Sequence, residues 1–394
     1  MGFKSTAKRN KEALHFTKDE ISGSFGDLGT FIPIFTALVI ICGLNPSSIL
    51  LFSGLFNIAS GLLFGIPIAV QPMKAIGTIA ISEGLSPNQI YAAGIVTGAV
   101  VLFLGVTNLI GPLKKAIPLS VVRGLQLALG LKLLIKGVRM IADTGAFWGY
   151  DSIFVGFVCI FMVLSLFFVK RVPGALFIFL AGIALVFFEY PDIAKKLALG
   201  FSLPVFSIPS KMDFMGVGFR ASAAQIPLTV LNSVIAVCAL SRDLFPKRGL
   251  SEKKVSISVG LMNLIGCWFG AMPMCHGAGG LAGQYRFGAR TGSSVVFLGS
   301  LKVVLGLFFG AATLMLLKLY PMSVLGVLLI FSGFELALVA RDVAGKADFF
   351  VMLITVSSIL ALSSIAAGFV VGLIFAHLFI SGILRFEKVD EKGI

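Results

Sequence analysis

Apolar runs of near-spanning length follow one another through almost the whole chain, and they leave it few folds to choose from. Read between Gly, Pro and charged breakers, the runs fall at 27–43, 48–65, 70–83, 89–110, 118–136, 151–169, 173–189, 221–240, 256–270, 276–287, 292–317, 321–340, 347–364 and 366–385, fourteen in all. A helix needs about 20 apolar residues to cross the hydrocarbon core of a bilayer. Only 13% of the 394 residues are charged and 57% are hydrophobic, whereas an average soluble domain carries about 25% charge. Such a chain cannot cover itself in water, so the expected fold class is all-α integral membrane, with lipid as solvent.

Charge placement orients the spans. The net charge is +14, but the bases lie in small groups between apolar runs, without the basic face and interleaved aromatics of a nucleic-acid surface. With the N-terminus inside, the tails and even-numbered loops collect most of the bases, including Lys114, Lys115, Lys170, Arg171, Arg242 through Lys254, Arg290, Arg341 and Lys346. Outside loops hold fewer, mainly Lys136, Arg139, Lys195, Lys196, Lys211, Arg220 and Lys318. The positive-inside rule then calls for an even number of spans with both termini cytoplasmic, which twelve would satisfy as well as fourteen. Residues 1–20 mix Lys4, Lys8, Arg9, Lys11 and Lys18 with Glu12, Asp19 and Glu20, and no short apolar stretch ends in a cleavage site. They read as a cytoplasmic segment rather than a signal peptide. Cys42, Cys159, Cys238, Cys267 and Cys275 sit in apolar stretches without disulfide or metal-ligand spacing.

A long connection, 190–220, with Pro191, Pro204 and Pro209, divides the chain into halves that resemble each other. Gly54-Leu55-Phe56-Asn57 recurs as Gly260-Leu261-Met262-Asn263, and Phe64-Gly65 with Pro67 as Phe269-Gly270 with Pro273. Ile32-Pro33 recurs as Ile226-Pro227, and Pro118-Leu119-Ser120-Val121 as Pro321-Met322-Ser323-Val324. Four matches in one order, each about 200 residues apart, imply a duplication. Seven segments per half is odd, so the second copy enters the membrane from the opposite side, giving a 7+7 inverted repeat. Its expected bounds are 21–205 and 206–386, with a short cytoplasmic tail at 387–394.

Transporters built this way hold substrate near midplane, where paired helices are broken. The third and tenth segments are short, and each follows a Pro-containing stretch. A helix starting at midplane offers unpaired N–H groups and the positive end of its dipole, which suits an anion. The stretches before them need hydrogen-bond partners that lipid lacks, so two short antiparallel strands, 66–71 and 272–276, are expected to pair. At the first tip, Gln71-Pro72-Met73-Lys74 places Pro in the first turn, where its missing N–H does no harm, and a cation beside the anion. At the second, Cys275-His276-Gly277-Ala278-Gly279-Gly280 lets backbone approach a ligand; tight helix packing through small residues is the alternative. The glycine run is no dinucleotide fingerprint, since no βαβ unit surrounds it.

The substrate-binding set is therefore Thr30, Gln71, Met73, Lys74, Gln225, Cys275, His276, Gly277, Ala278 and Gly279. Polar groups inside spans face a cavity or another helix, so Thr30, Gln225 and Asn232 either touch substrate or bond between helices. Asp27, His276 and Glu335 are the proton-coupling candidates. Asp27 has two other readings, a partner for Lys74 or a helix cap, and His276 has one, satisfying backbone. Arg123, Lys132 and Lys302 are expected to snorkel or to pair structurally. No metal site or cofactor is expected.

Four stretches resemble the molybdate transporter family of plants and microbes, related to the sulfate-permease (SulP) superfamily: Gly26-Asp27-Leu28-Gly29-Thr30-Phe31-Ile32-Pro33, Val70-Gln71-Pro72-Met73-Lys74, Gln225-Ile226-Pro227-Leu228 with Val230-Leu231-Asn232-Ser233-Val234, and Met274 through Arg286. The resemblance covers nearly the whole chain. It implies a UraA/SulP-like fold with a core domain from segments 1–4 and 8–11 and a gate domain from segments 5–7 and 12–14. It also implies substrate between half-helices 3 and 10, an elevator-like motion, and in related folds a dimer through the gate. About nine residues follow the last span, so the STAS domain of ordinary sulfate permeases is not expected. That favours molybdate over sulfate as cargo, in the cytoplasmic membrane. A membrane enzyme would need clustered His and carboxylates, which three scattered histidines do not supply; an anion channel would lack saturation and counterflow.

Overall fold

The structure, a computed structural model, describes residues 14–167, 173–197 and 200–386. Lys4, Lys8, Arg9, Lys11, Glu12, Lys170, Arg171 and the tail at 387–394 lie outside the described residues.

Capping residues and glycines set most helix limits. Thr17 accepts from Glu20 N to open α1 (Lys18–Ser24), and a 3-10 turn, Phe25–Asp27, leads into α2 (Leu28–Cys42). Asn45 caps α3 (Pro46–Phe64), with Pro at the first turn. Gly65, at φ 68°, ends α3, and Gly270, at φ 75°, ends the corresponding turn of the second half. Both need the left-handed region that glycine enters without a Cβ penalty. After β1 (Val70–Pro72) comes the short α4 (Lys74–Glu83), and a capping box of Ser86 and Gln89 opens α5 (Pro87–Val106). Next are α6 (Leu119–Ala142), α7 (Ile153–Phe167) and α8 (Gly174–Glu189).

The second half begins with α9 (Lys211–Leu244), which contains π-helical stretches at Phe214–Gly218 and Thr229–Ala236. Then follow α10 (Glu252–Gly266), β2 (Met274–His276), the short α11 (Ala278–Arg286), α12 (Ser293–Phe308), α13 (Gly310–Lys318), α14 (Met322–Ala337), α15 (Lys346–Ala361) and α16 (Ile365–Ile380). Every one of the fourteen apolar segments contains a helix. Five helices among the described residues are long and apolar enough to cross a membrane: Lys18–Cys42, Pro46–Phe64, Pro87–Val106, Lys211–Leu244 and Met322–Asp342.

Two boundaries differ from expectation. The helix expected at 221–240 begins at Lys211, because Ser210 and Asp213 form a capping box there. The connection before it is extended and pinned to neighbours, with Ser202 N on Leu307 O at 2.8 Å and Ser207 N on Trp268 O at 2.8 Å. Segment 292–317 is not one helix: α12 and α13 meet at 82°.

Packing joins the halves. α3 runs along α12, α5 along α10, and α6 along α14. A side-chain carbon added at Gly54 would lie 2.5 Å from the Gly299 carbonyl oxygen, and one at Gly61 2.6 Å from that of Gly292. Gly130 meets Gly333 and Gly137 meets Gly326 in the same way between α6 and α14. These backbones touch, which in lipid replaces the hydrophobic drive that lipid cannot supply.

Candidate functional site

β1 and β2 form a two-stranded antiparallel ladder, with Val70 opposite His276, Gln71 opposite Cys275 and Pro72 opposite Met274. The expected strand pair is present, shorter than 66–71 and 272–276. Met73 N extends it by donating to Pro273 O at 2.8 Å. All six strand residues are buried. Each strand is anchored from the preceding helix. Asn57 Oδ1 accepts from Val70 N at 2.8 Å, and Asn263 Oδ1 accepts from Met274 N at 2.8 Å. Asn263 Nδ2 also donates to Met274 O at 2.6 Å and to Val259 O at 2.7 Å. The two asparagines are the last residues of the first repeat match, so that match marks strand anchors. Sequence reasoning alone gives neither of them a functional role.

Two residues beyond each strand a short helix starts. α4 begins at Lys74 and α11 at Ala278, and no side chain caps either from its N-cap position. Lys74 is half-buried and makes no ion pair among the described residues. Gln225 reaches across from α9: its Oε1 accepts from Ala75 N at 2.8 Å and Ile76 N at 3.3 Å, and its Nε2 donates to Thr229 Oγ1 at 2.8 Å. At the other tip, Gln71 lies against Gly277 and Gly280, where any side chain would displace it, and its Nε2 donates to Asp27 Oδ1. Gly279 is exposed, and a Cβ there would meet nothing within 4 Å. At the tips Lys74 and Ala278 are half-buried and Gly279 is exposed, while Met73, Gln71 and Gly277 are buried.

His276 is buried and held at both ring nitrogens. Its Nδ1 meets Ala69 O at 3.2 Å, and its Nε2 meets Ser258 Oγ at 3.0 Å. A carbonyl oxygen only accepts, so Nδ1 carries the proton and Nε2 accepts the Ser258 hydroxyl. The ring is wholly buried, edge-on to Phe64, so both nitrogens tie β2 to its surroundings. Cys275 is buried, as is Ser233 in the π-helical part of α9. Asn232 lies beside Ser233, half-buried, and Thr30 is half-buried on α2.

Asp27 neither pairs with Lys74 nor caps α2. Beyond its bond from Gln71, its second oxygen has no hydrogen-bond partner. Its leading charge neighbour is Lys302 of α12. In place of the expected snorkelling or pairing, Lys302 is 3% exposed, its Nζ has no hydrogen-bond partner, and it stands 3.5 Å from the Phe31 ring centroid. Arg123 does pair, with Asp342 at 2.8 Å, and Lys132 pairs with Glu83 at 3.3 Å. Glu335 is not brought to the strand pair. It lines a separate cavity of about 300 Å³ bordered by Gly26, Gly29, Pro33 and Arg286. No group of three or more metal-ligating side chains occurs among the described residues.

Short helices starting from a buried two-strand ladder inside an all-helical bundle define a membrane-protein fold that solved structures share. The chain matches SLC26A9 with a TM-score of 0.66 at 17% identity, over 94% of this chain and 66% of that longer one. It matches the transmembrane domain of the cyanobacterial bicarbonate transporter BicA with a TM-score of 0.65 at 14% identity, over 92% and 98%. Within that fold the chain belongs to the molybdate transporter family: the profile described as "Molybdate transporter of MFS superfamily" matches residues 19–133 and 218–336. It is 46% identical to molybdate transporter 2 of Arabidopsis thaliana and 41% to molybdate transporter 1 of the same plant, over 90% of this chain and 86% of each relative. It is 32% identical to molybdate transporter 1 of Chlamydomonas reinhardtii, over 94% and 93%. This is a family of multi-pass transport proteins, not of enzymes.

Proposed function

We propose that the chain carries molybdate across the cytoplasmic membrane by secondary transport, holding the dianion at the N-termini of α4 and α11 beside Lys74. The observation that carries this is the pair of short helices starting from one buried ladder, with Lys74 half-buried at one start and Gly279 exposed at the other. Helix N-termini bind oxyanions through unpaired N–H groups and dipole without a full charge, and one lysine adds a charge-assisted contact to a dianion. Relatives named as molybdate transporters support the cargo. Sulfate has the same shape and charge, so competition of labelled molybdate uptake by equal sulfate separates the two. Binding of molybdate, tungstate and sulfate to the purified protein, side by side, ranks them.

The transport machinery in this reading has fourteen spans in a 7+7 inverted arrangement, 21–205 and 206–386. The core is segments 1–4 and 8–11, and it moves as an elevator against a gate of segments 5–7 and 12–14, with both termini inside. Helices at all fourteen segments, the anchors Asn57 and Asn263, and Pro118 and Pro321 at the N-caps of α6 and α14 support it. A homodimer would form through the gate. Proton coupling falls to Asp27 or His276 in the site or to Glu335 in the cavity beside α2; uptake indifferent to a pH gradient would reject it.

Lys74→Ala should cut molybdate uptake by about tenfold or more, the loss of a charge-assisted contact of roughly 1.5–3 kcal/mol, while the protein stays folded. Unchanged molybdate affinity in that variant would remove Lys74 from the site.

A further inference from the structure

Of the two helix N-termini at the ladder, one already has its donors covered by a side-chain oxygen. Gln225 Oε1 stands 2.8 Å from Ala75 N and 3.3 Å from Ile76 N. Those are the second and third N–H groups of α4, the donors that an oxyanion at this tip would use. Gln225 is 1% exposed, and the backbone N–H groups, which can only donate, fix the oxygen end of its amide toward the helix, leaving Nε2 to donate to Thr229 Oγ1. At α11 the Gln71 amide lies against Gly277 and Gly280, but among the described residues no side-chain oxygen accepts from the first N–H groups of the helix, and Gly279 is open.

The helix bearing Gln225 is loosely built at this point. Pro227 lies inside it and has no N–H to give, and Thr229–Ala236 runs as π-helix. Both features weaken the regular ladder of hydrogen bonds and let a helix shift locally.

We infer that Gln225 is a displaceable stand-in for a substrate oxygen. Its amide oxygen satisfies the α4 donors between transport events and moves aside when a tetrahedral oxyanion takes the same two N–H groups. The inference rests on the oxyanion reading of the half-helices. A neutral amide suits this role because it serves buried donors that lipid cannot reach, yet yields to a dianion that gains more from the helix dipole. The substrate's apparent affinity is then lowered by the share of time the amide holds the site.

Titration calorimetry of molybdate into the purified protein, with thermal unfolding of each variant, tests this. Gln225→Ala should bind molybdate about three- to tenfold more tightly, since the competitor is gone. Weaker binding would make Gln225 a direct ligand or a needed cap, and unchanged binding would mean the α4 donors are not used; either overturns the inference. Gln225→Glu puts a carboxylate on the dipole, so it should raise the unfolding midpoint and lower molybdate affinity more than tenfold, a split that a merely structural cap would not produce. A raised midpoint with unchanged affinity overturns it. Should the alanine variant not fold, Gln225→Asn, one methylene shorter, withdraws the oxygen and carries the same predictions. A wild-type protein that binds no oxyanion ends the functional reading itself; wild-type binding without tightening in the variant ends only this one.

Discussion

Asn57 and Asn263 give the ladder the hydrogen bonds that lipid cannot. Backbone groups inside a bilayer find no water, and each left unpaired costs several kcal/mol. Asn263 meets both the N–H and the carbonyl of Met274, whereas Asn57 meets the N–H of Val70 and leaves its own Nδ2 unpartnered. Asn263→Ala should therefore lower stability by about 1–3 kcal/mol and Asn57→Ala by less, read as unfolding midpoints in detergent. Equal losses would mean the ladder does not depend on the extra bond. Asp27 and Lys302 invite a second test at this scale, since each is buried with an unpartnered charged atom. Removing one of two buried opposite charges strands the other, so Lys302→Met should reduce folded yield and Asp27→Asn should restore it in the double variant. A double variant worse than both singles would show that the two do not compensate each other. The asparagines are visible in the sequence as a repeat, but their targets lie 13 and 11 residues further on, beyond any local turn pattern. Gln225 is legible as a polar group in an apolar helix. That it caps another helix is not, because its partner is 150 residues away.

Helices that share the same glycine spacing pack where the two halves touch. Gly54 and Gly61 on α3, Gly130 and Gly137 on α6, Gly292 at the N-cap of α12 with Gly299 on it, and Gly326 and Gly333 on α14 are each seven residues apart, and each meets a partner backbone. Two helical turns separate the members of each pair, so both lie on one face. Gly130→Val would press a branched side chain into the Gly333 carbonyl, 2.6 Å from a Cβ. It should force α6 from α14 and leave little folded protein, whereas Gly111→Val, with nothing within 4 Å, should be tolerated on size-exclusion and thermal assays. Elements bounded by Pro and Gly are legible in the sequence, since Gly65, Gly270 and Pro72 act through their own backbone limits. The 82° break between α12 and α13 is not: no proline marks it, and Gly310 turns there against Ser47 of a distant helix.

At the scale of the molecule, two crevices that each border one of the short helices differ in size. One, of about 300 Å³, is bordered by the start of α2, Arg286 at the end of α11, and α14. The other, of about 20 Å³, is bordered by the end of α4, the start of α9, and α16. In the proposed orientation, with both termini inside, the larger borders the cytoplasmic start of α2. All five cysteines are buried, so introduced thiols can be read against a quiet background. Ser332→Cys, in the large crevice, should react with a membrane-impermeant maleimide from the cytoplasmic side several-fold faster than Ala366→Cys, in the small one, reacts from either side; equal rates would deny the asymmetry. The fold class and both half-helices are readable from apolar run length, whereas which crevice is wider depends on side chains from both halves. The ladder that joins those halves also sets a timetable for biogenesis. Ala69 and His276 are 207 positions apart, and a ribosome adding about 5–20 residues per second needs roughly ten to forty seconds to travel between them. Throughout that interval Asn57 can shelter Val70, but the rest of the first strand has no mate, so the first half is completed only when the second arrives.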